Sequence, residues 1–372
     1  MPASPQKPAV LHVLEALEGG TLRHVRELLP ELAARGYRVA LAASPRRNPA
    51  LARDIARAFA ACGIAFHELP MRRAISPLSD LLNAVRLSRL IQTLRPDIIH
   101  THSSKAGFLG RLAAAARGVP VVHTPHAFPF LMEGARATKS LYRFLERLVQ
   151  PKTAALVALS HEEVLAARAL GFPDERIHRI PNGTSYPPLP EPPTAPRQGI
   201  GFFGRLSRQK GADILLNAVA GSGIEACLHG RGEEEAALRR QCQRLGISPR
   251  VRFMGECAQD EVVARMRGYA AVAVPSRWEG CPYVVLDAFA AGVPVIAAHV
   301  GGIPDLIQDG INGVLFPVGN AAALTRAITA LLRNPPHGLA AAAHATLAAH
   351  TLAAMADKLE VAYEGVLRPG SQ

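Results

Sequence analysis

The chain is poor in the residues that build covalent or metal frameworks. Its five cysteines, Cys62, Cys227, Cys242, Cys257 and Cys281, are odd in number and widely spaced, with no Cys-x-x-Cys pair. That excludes a disulfide scaffold and a cysteine zinc site. Although 49% of the residues are hydrophobic, no run of apolar residues is long enough for a spanning helix. Aromatic residues make up 5% and do not interleave with the basic ones, which disfavours base stacking on a single strand. The N-terminal stretch MPASPQKPAVLHVLEAL holds a His and an acid within its short apolar run, and no small-residue cleavage site follows. The expectation is a cytoplasmic protein without a signal peptide.

What is present is length and positive charge. A chain of 372 residues exceeds one ordinary core and predicts two domains. The net charge is +12, and it is unevenly placed. Residues 1–190 hold 25 Lys and Arg against 14 Asp and Glu, while residues 191–372 hold 17 against 16. A basic first half suggests an anionic partner, such as the inner leaflet of a membrane. Nucleic acid is the competing partner class, and charge alone argues poorly for it.

In the first half, strand-like Val10–Leu14 runs into Gly19-Gly20, then a helical pattern from Leu22 to Arg35, then a strand at Arg38–Leu41. This strand–turn–helix–strand order predicts a parallel α/β layer. Backbone N–H groups at Gly19, Gly20 and the helix start would suit an anion. The segment MRRAISPLSDLLNAVRLSRLIQTLR predicts an amphipathic helix with Leu81, Leu82, Val85, Leu90 and Ile91 on its packed side. An interfacial membrane helix is the other reading. The helix with Arg136, Lys139, Arg143 and Arg147 interleaves Leu141, Phe144, Leu145 and Leu148, and is a second candidate membrane-facing element.

Two strand ends bring His100, His102, His123 and His126 to one sheet edge. No neighbouring carboxylate completes a metal set, so no metal site is expected there. His126 lies beyond its strand in the loop HTPHAF. Ser160 and Glu163 have the spacing of a helix capping box. The proline-rich run after Tyr186 reads as a semi-rigid connection.

The second half restarts the plan. After a strand at Gly199–Phe203 comes the loop Gly204-Arg205-Leu206-Ser207-Arg208-Gln209-Lys210-Gly211, then a helix. Two cations and the N–H groups of a helix start are what a diphosphate requires. A Gly-x-Gly turn at Gly230 and a strand ending at Met254-Gly255 follow. The stretch AVAVPSRWEGCPYVVLDAFAAGVPVIAAHVGGIPD then places Glu279 on a loop and Asp287 on a helix, with seven residues between.

This Glu-x7-acid spacing, with the Gly-Arg and Lys-Gly loop before it, resembles the retaining glycosyltransferases of family 4 (group 1), of the type that builds bacterial surface polysaccharide. Asp287 departs from that family's second Glu. The resemblance implies a GT-B fold, in which two Rossmann-like α/β/α domains face across a cleft and the last helix crosses back to the first domain. The expected parts are an acceptor-side domain (residues 1–186), a linker (187–198), a nucleotide-sugar domain (199–345) and a returning terminal segment (346–372). It implies a nucleoside-diphosphate sugar donor, expected to be a UDP-sugar, and a lipid-linked or glycan acceptor in lipopolysaccharide or exopolysaccharide assembly.

Site roles follow from the same resemblance. Gly204, Arg205, Lys210 and Gly211 match the diphosphate loop, while Gly230, Met254 and Gly255 fall near the nucleotide. Glu279 matches the acid that meets the donor hexose, and His126 a histidine beside that sugar. Gly280, Cys281, Pro282 and Tyr283 lie near sugar and phosphate, and Asp287 takes the ribose. Neither a metal nor a cofactor is expected, because Arg205 and Lys210 would neutralise the leaving diphosphate. A nucleotide-sugar 2-epimerase of the same fold is the rival enzyme. A glycoside hydrolase also uses paired acids, but has no diphosphate to neutralise.

Overall fold

The computed structural model describes residues 7–186, 197–334 and 338–368. The chain divides into two units, Met1–Thr184 with Leu352–Gln372, and Ser185–Thr351. Most of the expected linker, residues 187–196, lies outside the described residues.

The first unit alternates strand and helix. It opens with β1 (Ala9–Leu14), α1 (Gly19–Ala34), β2 (Arg38–Ala43), α2 (Pro49–Ala61), β3 (Ala65–Glu68) and α3 (Pro77–Leu94). It continues with β4 (Ile98–His102), α4 (Ser104–Ala115), β5 (Val121–Thr124), α5 (Arg136–Val149), β6 (Ala155–Ala158), α6 (His161–Leu170) and β7 (Ile177–Arg179). The seven strands are parallel in the order β3-β2-β1-β4-β5-β6-β7. Strand direction of growth reverses between β1 and β4, which is where open α/β sheets bind ligands. Leu22, Val25, Leu28, Leu29 and Leu32 recur at helical spacing and bury one face of α1.

The second unit repeats the design. Its first half is β8 (Ile200–Phe203), α7 (Ala212–Ser222), β9 (Ala226–His229), α8 (Glu235–Arg244), β10 (Val251–Gly255) and α9 (Val262–Met266). Its second half is β11 (Ala271–Val274), α10 (Tyr283–Ala290), β12 (Val295–Ala298), α11 (Ile303–Leu306), β13 (Val314–Phe316), α12 (Ala321–Arg333) and α13 (Leu339–Leu347). The six strands are parallel in the order β10-β9-β8-β11-β12-β13, so the reversal falls between β8 and β11. Strands buried on both faces explain the continuous apolar runs at Ala271–Val274 and Val295–Ala298.

The last helix, α14 (Leu352–Leu367), belongs with the first unit. Buried Tyr363 places its hydroxyl 2.7 Å from His100 Nδ1, and Glu360 pairs with Lys7 and Arg35. Burial raises the Tyr363 phenol well above its usual range, so it stays neutral beside the imidazole.

Two expectations are corrected here. Gly19 and Gly20 are the first residues of α1 rather than a turn before it, and Gly19 enters the helix with φ +56°, which glycine adopts readily. On α3 the packed residues are Asn83, Leu87 and Ile91, while Leu81, Leu82 and Val85 are exposed. Two apolar stripes run along this helix, and Asn83 holds the buried one through hydrogen bonds to Ser79 and Pro70 carbonyls. On α5, Glu146 and Val149 face inward, Glu146 pairing with fully buried Arg111 at 2.8 Å, so Leu141, Phe144 and Leu148 are left exposed.

Candidate active site

In the second unit, β8 and β11 pair directly (Ala271 with Ile200, Val272 with Gly201), so the loops leaving their C-terminal ends meet. Those are the basic loop 204–211 and the acid loop 275–282. Arg277 joins them: its backbone N–H donates to Gln209 O, and its guanidinium forms a two-bond pair with Asp213 at 2.8 and 2.6 Å. Gln209 Nε2 donates back to Trp278 O at 3.1 Å.

Within this frame Lys210 Nζ lies 2.6 Å from Glu279 Oε1, and Ser276 Oγ donates to the same oxygen at 2.7 Å. Glu279 is buried and Lys210 half-buried. Two glycines make the approach possible. Gly211 has φ +68° and Gly301 φ +60°; a Cβ would sit 2.0 Å from Pro275 O on the first and 1.9 Å from Glu279 O on the second. Any side chain there would push the two loops apart.

The neighbouring strand ends are laced to the same edge. Gly204 N–H donates to His229 O, and Gly230 N–H to Gly255 O. His229 stacks on Phe203 with ring centroids 4.3 Å apart, and its Nε2 lies 2.6 Å from Tyr269 Oη. Burial, aided by Arg265, lowers the His229 imidazole to about 4, so it is a neutral platform. Met254 is exposed beside it, and Arg205 is exposed on the basic loop.

Gly280, Cys281, Pro282 and Tyr283 form the turn into α10, on which Asp287 is buried. Tyr186 Oη donates to Asp287 Oδ1. Tyr186 thus sits in the second unit, at its start, and holds Asp287. Sequence reasoning missed this, as it missed Ser276, Asp213, Arg277 and His229; only the two motif loops carried a readable signal.

His126, Gly19 and Gly20 lie in the first unit, apart in sequence and domain from the loop pair. His126 and Ala127 both have left-handed backbone, φ +53° and +73°, which non-glycine residues seldom adopt. Glu163 holds this bend. Its carboxylate accepts from Ala127 N–H and, at 2.7 Å, from Leu159 N–H, while Ser160 Oγ accepts from Glu163 N–H. The expected cap is therefore half a capping box, with the acid turned to the His126 loop. Desolvation raises the Glu163 carboxyl to about 7.

Residues 19–183 match the family model described as "Glycosyl transferase 4-like domain", and residues 194–346 match "Glycosyl transferases group 1". The D-inositol 3-phosphate glycosyltransferase of Corynebacterium diphtheriae is 31% identical over 304 residues, covering 73% of this chain and 71% of that protein. The chain belongs to the group 1 glycosyltransferases. A second relative is the UDP-Gal:alpha-D-GlcNAc-diphosphoundecaprenol alpha-1,3-galactosyltransferase of Escherichia coli, 27% identical over 287 residues, with 71% and 73% covered. Among solved structures, Anabaena HepE in complex with UDP and glucose superposes with a TM-score of 0.80 at 20% identity, over 96% of this chain and 100% of HepE. That likeness establishes the GT-B fold of this glycosyltransferase.

Proposed function

We propose that this glycosyltransferase moves a sugar, with retention, from a UDP-sugar to a lipid-linked acceptor in surface-polysaccharide assembly. The observation that carries the donor half is the Lys210–Glu279 contact, which puts a cation and a carboxylate on the joined loops at the reversal of the second sheet. When the glycosidic bond to the diphosphate breaks, negative charge grows on the phosphate oxygens. Lys210 and Arg205 supply the compensating charge without a metal ion at the diphosphate, and Glu279 accepts hydrogen bonds from the hexose hydroxyls. Asp287 and Tyr186 meet the ribose, and the Phe203–His229 platform and Met254 flank the base. UDP is favoured because HepE, of the same fold, binds UDP and glucose. Retention follows if the acceptor hydroxyl attacks from the leaving-group face, so Glu279 need not form a bond to the sugar.

The acceptor half rests on the first unit. On α3, Leu78 and Leu82 are 80% and 58% exposed, and Phe144 on α5 is 62% exposed. Both helices pack against α4. A cavity of about 350 Å³ is lined by Arg46, Arg72, Arg86, Ser76, Leu78 and Leu82. Among the described residues, Arg72 and Arg86 have no acidic partner. Arginines with hydroxyls beside exposed leucines suit an anionic phosphate with an apolar tail, at the inner face of a membrane. The E. coli relative acts on a diphosphoundecaprenol sugar.

The test is incubation with a panel of UDP-sugars, with and without a polyprenyl-diphosphate-linked sugar. Acceptor-dependent transfer of one sugar is expected. Conversion of the donor without acceptor marks an epimerase instead, and steep salt-dependent nucleic-acid binding not competed by UDP would overturn the enzyme's proposed partners. Failure of the chain to co-sediment with anionic liposomes at low salt would remove the membrane part alone.

A further inference from the structure

The switch point of the first sheet gathers imidazoles that sequence reading only partly grouped. His12 on β1, His24 on α1, His100 and His102 on β4, and His126 after β5 form one cluster, with His100 and His102 stacked at 4.4 Å between ring centroids and His24 edge-on to His126 at 4.8 Å. His123 is not a member, since its Nδ1 pairs with Thr101 Oγ1. His100 is satisfied on both nitrogens, by Tyr363 Oη and Thr124 Oγ1. Burial, the largest effect on each of these rings, keeps them neutral, so each holds one proton and one lone pair.

Placing those protons leaves nitrogens bare. Asn182 Oδ1, an acceptor, lies 3.0 Å from His24 Nδ1, so the His24 proton is on Nδ1 and Nε2 carries the lone pair. That Nε2 is buried and has no hydrogen-bond partner among the described residues, in a residue only 3% exposed. His102 has Nε2 at 3.0 Å from His12 Nδ1 and Nδ1 at 3.0 Å from His126 Nε2. Donation from His102 Nε2 to His12 frees its Nδ1 as a second lone pair. One ring nitrogen from each of His24, His102 and His126 lies within 4.8 Å of the others.

We propose that His24, His102 and His126 form a three-histidine site for a borderline divalent metal ion of the Zn²⁺ class. Three imidazoles suffice for such an ion without a carboxylate, so the lack of acids near the histidines does not exclude it. Metal–nitrogen bonds of about 2.0–2.1 Å place tetrahedral ligands about 3.3 Å apart. The His102–His126 pair is already at 3.0 Å, and the widest of the three separations, within 4.8 Å, would have to close by up to about 1.5 Å through side-chain rotation. With an ion on His24 Nε2 and His102 Nδ1, the remaining N–H groups would face Asn182 Oδ1 and His12 Nδ1, each at 3.0 Å, the backing that ligating histidines usually have. The left-handed bend at His126 and Ala127, pinned by Glu163, holds the third ring inward. His126 keeps some exposure, which gives the ion a way in. A bound ion would fix the His126 tautomer, leaving its Nδ1–H as donor.

The test uses the full chain, stripped with a chelator, dialysed and titrated with Co²⁺, then with Zn²⁺ as competitor. The expected result is one equivalent per chain with visible d–d absorption of a low-coordinate nitrogen site, no thiolate charge-transfer band, and displacement by Zn²⁺. His24→Ala should abolish it, Asn182→Leu should weaken it ~10–100-fold, and His67→Ala, on β3 and outside the cluster, should not change it. Wild-type protein that takes up no stoichiometric ion overturns the proposal without reference to any variant. Binding undiminished in a folded His24→Ala protein overturns it equally.

Discussion

Lys210 and Glu279 form one ion pair, Nζ to Oε1 at 2.6 Å, although the resemblance gives them separate duties toward phosphate and hexose. Each therefore sets the other's position before any donor arrives. Because Glu279 is buried, removing Lys210 leaves a carboxylate that, among the described residues, is held by Ser276 alone. Lys210→Met should lose transfer at least 100-fold and cost about 1–3 kcal/mol of stability by urea denaturation. The double variant Lys210→Met/Glu279→Gln should recover stability and stay inactive. Strict additivity of the two stability losses would mean that the pair is not coupled.

The close approach of these loops depends on Gly301. Gly301→Ala must place a Cβ against Glu279 O and hold φ +60°, whereas Gly310, at φ +72°, has open space around its missing Cβ. Gly310→Ala should cost about 1 kcal/mol from backbone conformation alone. Gly301→Ala should cost clearly more and lower kcat with it. Equal melting temperatures for the two variants would show that the loop contact is not tight.

Asp287 stands where the resemblance calls for a Glu, and it is met by the hydroxyl of Tyr186. The Tyr186 hydroxyl occupies Oδ1 of the shorter acid. A Glu at this buried position would have to displace that ring. Asp287→Glu alone should therefore weaken donor binding by several-fold, on the order of 1 kcal/mol, and Asp287→Glu with Tyr186→Phe should regain part of it. Donor titration by calorimetry measures both. Tighter binding by the single variant would assign Tyr186 no part in setting the acid.

How much of this was legible in the sequence depends on how local each contact is. The strand–helix alternation and the two motif loops were readable because their signals lie within ten residues. His24 and Asn182 meet across 158 residues, and Tyr186 and Asp287 across 101, so no spacing could announce them. On α3, periodicity grouped Leu81, Leu82 and Val85 with Leu90 and Ile91 on one packed side; Ile91 is buried as expected, but Leu87 and Asn83 share its face while Leu81, Leu82 and Val85 are exposed. The histidines on β4 were visible, and their partners His12 and His24 were not, since they arrive from β1 and α1.

Buried Glu163 makes the stability of the first unit depend on pH. Desolvation raises its carboxyl to about 7, against an ordinary 4.5, even though two backbone N–H groups favour the charged form. Between those values the unfolded chain has released the proton and the folded chain still holds it. The folded state binds more protons, so stability falls as pH rises from 4.5 through 7. A shift of this size corresponds to about 3 kcal/mol as an upper limit. Glu163→Gln cannot titrate and should remove that slope, so wild-type stability relative to the variant declines across this window. The same charge on Glu163 strengthens its grip on Ala127 N–H, so the bend that presents His126 should be firmest at the alkaline end. Urea midpoints of both proteins at pH 5 and pH 8 decide it; parallel pH profiles would place the Glu163 titration in the ordinary carboxylate range.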